Sequence, residues 1–74
     1  MDKATLQTQL GATVRERRQS LGYSQDTFAD AIGMHRAYYS SIERGARNLT
    51  LSTIARVADG LGVSLAKLMA DAGL

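Results

Sequence analysis

The sequence has no cysteine, no proline and no apolar run approaching the roughly 20 residues of a membrane span. Each absence removes a class of protein. Without cysteine there is no disulfide framework, no thiolate zinc site and no cysteine nucleophile, and a small fold lacking such staples needs a very regular core or a partner subunit. A single histidine, and Asp26 with Asp30 as the one local carboxylate pair, leave little for catalysis. That pair is too sparse for a metal site and reads as solvated charge beside a helix N-terminus. No enzyme activity, metal or cofactor is expected. The opening residues Met1-Asp2-Lys3-Ala4-Thr5 lack the basic start and apolar stretch of a signal peptide, so an intracellular, cytoplasmic protein with no membrane partner is expected.

What is present fits one small globular domain over residues 1–74, with 45% hydrophobic and 22% charged residues. The net charge of +2 is mild, but seven of the nine basic residues are arginine, and six of these (Arg15, Arg17, Arg18, Arg36, Arg44, Arg47) lie between positions 15 and 47. Arginine suits phosphates and base edges. Charge alone leaves a solvated helical surface as open as a nucleic-acid face.

With proline absent, glycine punctuates the chain: Gly22, Gly33, Gly45 and Gly62 each follow an apolar periodic stretch, as helix-ending residues do. Four segments also share one start grammar, an apolar residue, a cap candidate, and a second apolar residue four positions after the cap. Tyr23-Ser24 with Phe28, Met34-His35 with Tyr39, Leu49-Thr50 with Ile54, and Val63-Ser64 with Leu68 fit this hydrophobic staple. The two signals predict an all-α, compact five-helix bundle with helices over 3–20, 25–32, 36–43, 51–61 and 65–71. Core stripes are Leu6, Leu10 and Val14; Phe28 and Ile32; Tyr39 and Ile42; and Leu51, Ile54, Ala58 and Leu61.

Helices two and three are short and joined by Gly33-Met34-His35, which predicts a helix-turn-helix. The inner stripe of the third helix is Tyr39, Ile42 and Glu43, leaving Arg36, Ala37, Tyr38, Ser40 and Ser41 outside. That outer face is small, polar and free of carboxylates, which suits entry into a major groove better than it suits a plain solvated surface. Ser24 and Gln25 at the start of the second helix, and Arg47 and Asn48 in the loop before the fourth, are candidates for phosphate contacts. Ser24 also serves as an ordinary cap, and the loop pair also fits a solvated loop. Glu43 on an apolar stripe needs a cation, and Arg18, four residues after Val14 on the stripe of the first helix, supplies one. The expectation is a structural Arg18–Glu43 bridge. Near the C-terminus, Val63, Leu65, Leu68, Met69 and Leu74 exceed what a two-turn helix can bury on one side. Leu65, Leu68 and Met69 are therefore candidates for a homodimer interface through the fifth helix and the adjoining part of the fourth.

The run Leu10-Gly11, Val14-Arg15, Arg18, Leu21-Gly22, Ser24-Gln25, Phe28-Ala29, Ile32-Gly33, Ser40, Ile42-Glu43-Arg44-Gly45 and Leu61-Gly62-Val63-Ser64 resembles the phage-repressor type, lambda-repressor-like helix-turn-helix family. The resemblance covers roughly residues 10 to 69. Within it, His35 through Thr50 is similar to the controller proteins of restriction-modification systems. The resemblance implies a dimeric transcriptional repressor or activator on a two-fold related double-stranded DNA operator, with RNA polymerase as a further partner. It implies base reading by Arg36, Ala37, Ser40 and Ser41, with Tyr38 as a neighbouring groove or backbone contact. Gln25, Arg47 and Asn48 would be backbone contacts, and Arg18–Glu43 a buried pair. His35 stands where Ser or Thr is the usual cap, and reads as a cap substitute or as a phosphate contact. Leu49 stands where proline is frequent. An antitoxin-type protein-binding module that also autoregulates is the competing reading, although no extra segment to wrap a toxin is present.

Overall fold

Five helices make up the regular structure of residues 2–74, the part described by the computed structural model: α1 (Lys3–Ser20), α2 (Gln25–Ala31), α3 (Arg36–Glu43), α4 (Leu51–Gly60) and α5 (Leu65–Asp71). Each begins where a side chain satisfies one of the free N–H groups of the first turn. Asp2, Ser24, His35, Thr50 and Ser64 accept from the backbone of Thr5, Thr27, Ala37, Thr53 and Lys67 respectively. At α2 the Ser24 N–H also donates to Thr27 Oγ1, so a threonine completes a capping box usually made by Glu or Gln. The staple ahead of it is real packing, with the Tyr23 and Phe28 rings edge to face and 5.5 Å apart.

The helix ends obey one rule. At the end of α2 the Gly33 N–H donates to Asp30 O (3.1 Å) and the Met34 N–H to Ala29 O (2.8 Å), which requires Gly33 at φ +66°. This is the Schellman closure, and its left-handed residue strongly favours glycine. The same paired bonds end the other four helices. Because Ile32 and Leu61 act as C-caps, α2 and α4 stop one residue short of their expected ends.

The long α1 packs on α3 and α5, α2 packs on α3, and α4 packs on α5. Between them lies one cluster in which Val14, Phe28, Ala29, Tyr39, Val57 and Leu68 have no solvent exposure. The α1–α3 approach is so close that a Cβ on Gly11 would lie 2.5 Å from Ile42 O and 2.6 Å from Glu43 O. Two expected core residues are outside. Leu6 is 39% exposed and Leu51, the first residue of α4, 72% exposed. Their stripes run one turn beyond the point where neighbouring helices cover them. No helix among the described residues is long and apolar enough to cross a membrane.

Candidate nucleic-acid interface

The α2–α3 unit is held at its turn from both sides. Met34 is buried beneath it, and Arg56 reaches over from α4 to donate from Nε to Ile32 O (2.9 Å) and from Nη2 to Gly33 O (2.5 Å). Nothing local in the sequence marks Arg56 for this, since its partners are backbone carbonyls more than 20 residues away. His35 starts α3 by accepting the Ala37 N–H on Nδ1 at 3.3 Å, so the imidazole acts as the cap.

α3 is anchored from below by a buried polar cluster. Arg18 donates from Nε to Glu43 Oε2 (2.7 Å) and from Nη2 to Glu43 Oε1 (3.0 Å), while its Nη1 donates to Tyr23 O (2.8 Å). The fork fits the carboxylate in the bidentate way that only arginine offers. Burial pushes the Glu43 carboxyl up, but the hydrogen bonds of its neighbours, Arg18 foremost, outweigh this and hold it below the usual carboxylate range. The same hydrogen bonding keeps Arg18 more firmly protonated. Next to the pair, the Tyr39 phenol is driven far above its ordinary value, first by burial and then by the adjacent Glu43 carboxylate, through hydrogen bonding before charge.

Gln25 also joins this cluster, donating from Nε2 to Glu43 Oε1 at 2.9 Å. The side chain expected to face a phosphate is therefore turned inward, because a buried carboxylate offers its amide a better partner than water. Ser24 caps α2. Asn48, in the loop before α4, stays exposed, its Oδ1 accepting from Gln7 Nε2 of α1 at 2.5 Å.

On the solvent side of α3, Arg36 and Ala37 are exposed, while Tyr38 and Ser40 are half-buried. Ser41 is buried, which corrects its assignment to the outer face. Its hydroxyl donates to Tyr38 O (2.5 Å) and accepts from Arg47 Nε (2.9 Å), so the loop after α3 folds back over it. The Arg47 guanidinium then lies 5.2 Å from the centre of the Tyr38 ring, a cation–π stack along the helix flank. Arg44 donates to Ser40 Oγ at 2.9 Å. The helix's one carboxylate is the buried Glu43, so the solvent side of α3 carries Arg36, Ala37, Tyr38 and Ser40, with Arg44 at its C-cap, and no carboxylate of its own.

Arg36 itself is engaged. Its Nη2 lies 2.7 Å from Asp30 Oδ2, its Nε 3.4 Å from Asp30 Oδ1, and its Nη1 3.4 Å from Asp26 Oδ2. Asp26 and Asp30 are thus solvated, as expected, and also face Arg36 of α3. Arg36's hydrogen bond holds the Asp30 carboxyl below its ordinary range.

Of the residues expected at a dimer interface, Leu68 has no exposure and belongs to the protomer's own core. It cannot serve a partner. Leu65 and Met69 are half-buried and pack against the core edge, and Met69 joins Leu6, Leu10, Leu49 and Leu74 in lining an apolar groove.

The helix-turn-helix family matches residues 14–68, which include all of α2, α3 and α4. The chain belongs to this family. It is 42% identical over 55 residues to the control protein C.MunI of Mycoplasma sp, covering 74% of each chain. With the control protein C.SmaI of Serratia marcescens the identity is 42% over 65 residues, 88% of this chain and 77% of the other. The crystal structure of the restriction-modification controller protein C.AhdI from Aeromonas hydrophila superposes with a TM-score of 0.78 at 36% identity, covering 82% of this chain and 92% of that one. Family membership makes the chain a DNA-binding transcription regulator and not an enzyme.

Proposed function

We propose that residues 1–74 act as one sequence-specific, double-stranded-DNA-binding domain that works in the cytoplasm as a homodimer on a two-fold related operator, in the manner of a restriction-modification controller. The observation that carries this reading is the solvent face of α3, a strip that has no carboxylate of its own, with Arg36 at its start, Arg44 at its C-cap and Arg47 in the loop that follows. A helix offered to a major groove needs cations toward the phosphates, short side chains toward the bases, and one long bidentate donor. Ala37 and Ser40 are the short side chains and Arg36 is the donor. Tyr38, stacked under Arg47, forms the wall of the strip.

Sequence would be read by Arg36, whose fork matches guanine O6 and N7. Arg47 would supply affinity without sequence. Once bound, such a dimer represses by occupying its site and activates through a contact with RNA polymerase. The reading is tested by selecting duplexes from a random pool with wild-type protein and with Arg36→Ala. A changed or flattened consensus in the variant is expected, and an identical consensus would refute base reading by Arg36.

A further inference from the structure

Arg36 is the long donor of the reading face, yet its fork is already occupied. Asp30 holds two of its nitrogens, at 2.7 and 3.4 Å, and Asp26 holds the third at 3.4 Å. Both carboxylates stand on α2, four residues apart and hence on one face of that helix, directed across the turn at the first residue of α3. Two acceptor oxygens in the plane of a guanidinium present the same pattern as the O6 and N7 edge of guanine. The acidic pair therefore satisfies Arg36 in the way a cognate base would.

We infer that Asp30, with Asp26 beside it, is a specificity-determining residue that withholds Arg36 from DNA lacking a correctly placed guanine. This rests on the base-reading role of α3. On cognate DNA the fork exchanges the carboxylate for guanine, one bidentate partner for another, so little is lost. On other sequences no base edge opposite Arg36 offers two paired acceptors, so nothing there replaces the bidentate contact with Asp30. The two carboxylates also repel any phosphate that approaches. The ion pair is exposed on both sides, with side-chain exposures of 57% and 58%, so it is weak enough to open during binding.

The test measures dissociation constants, over a salt series, for a duplex recovered by selection with wild-type protein and for a scrambled duplex of the same composition. Asp30→Asn is expected to tighten the scrambled duplex about threefold while leaving the selected duplex within about twofold, as suits a surface ion pair. The salt slope on the scrambled duplex should steepen by about one phosphate contact. In an Arg36→Ala background, Asp30→Asn should shift both duplexes equally. Equal tightening of both duplexes with Arg36 present would show that Asp30 acts as bulk charge alone and would overturn the inference. Weaker binding of the selected duplex by Asp30→Asn would also overturn it, since Asp30 would then be presenting Arg36 rather than withholding it. These failures differ from that of base reading itself, which shows as a consensus unchanged by Arg36→Ala.

Discussion

Arg18 of α1 and Glu43 of α3 meet through two hydrogen bonds of 2.7 and 3.0 Å, with side chains 8% and 2% exposed. α3 is thereby fixed to the longest element of the fold by a charge pair out of water. A buried pair adds little net stability over an apolar substitute, but breaking it strands a charge. Arg18→Ala and Glu43→Ala are each expected to cost on the order of 3 kcal/mol in urea unfolding. The double variant should recover part of the loss. Additive losses in the thermodynamic cycle would show that the two charges are energetically independent.

The same cluster sets the pH dependence. Glu43 has a folded-state pKa below its unfolded value, so its contribution is present above the unfolded value and is lost as pH falls through the folded one. Stability should fall from about pH 4.5 downward, and Glu43→Gln should flatten that decline. Tyr39 is shifted the other way, its phenol staying protonated in the fold while the unfolded chain ionises near its ordinary value of about 10. Above that pH the unfolded state binds fewer protons, so stability should fall again. Tyr39→Phe should remove this alkaline loss. Thermal midpoints across the pH range for the wild type and both variants measure each limb.

Gly11 is expected to tolerate no side chain, because the obstacle to a Cβ is the backbone of α3 at 2.5 and 2.6 Å rather than a movable side chain. Gly11→Ala should cost about 1 to 3 kcal/mol despite alanine's better helix propensity, since α1 must separate from α3. An unchanged or higher melting temperature would mean that the two helices can part freely.

The local grammar of the chain made the fold legible. Caps, staples and terminal glycines act within a few residues, so helix starts could be read directly, and the Arg18–Glu43 pair followed because both residues lie on apolar stripes that must converge. Contacts made across turns and loops leave no such local pattern. Ser41 sits one helical step from the outer face, and its hydroxyl is met by Arg47 from the following loop, a contact that helical spacing does not show. The partners of Asp26 and Asp30 lie across a turn whose angle the sequence does not state. A two-turn α5 with apolar residues on adjacent faces did not reveal which of Leu65, Leu68 and Met69 points inward. The structure turns Leu68 in.

That inward turn sharpens the expectation for the dimer. With Leu68 in the core, the apolar surface left near α5 is the half-buried Leu65 and Met69 together with Leu74, which is 42% exposed. Met69 and Leu74 continue into the groove with Leu6, Leu10 and Leu49, a contiguous strip that a second copy would cover with the same strip in reverse. A two-fold contact there would set two α3 helices about 34 Å apart, one turn of DNA, and would double the short face proposed to read it. Sedimentation at micromolar concentration should give a dimer for the wild type and monomers for Met69→Asp. Leu68→Asp should instead unfold the chain, because it places a charge in the core. A wild type that remains monomeric on its operator would end the dimer proposal, and an undisturbed Met69→Asp dimer would move the interface off α5.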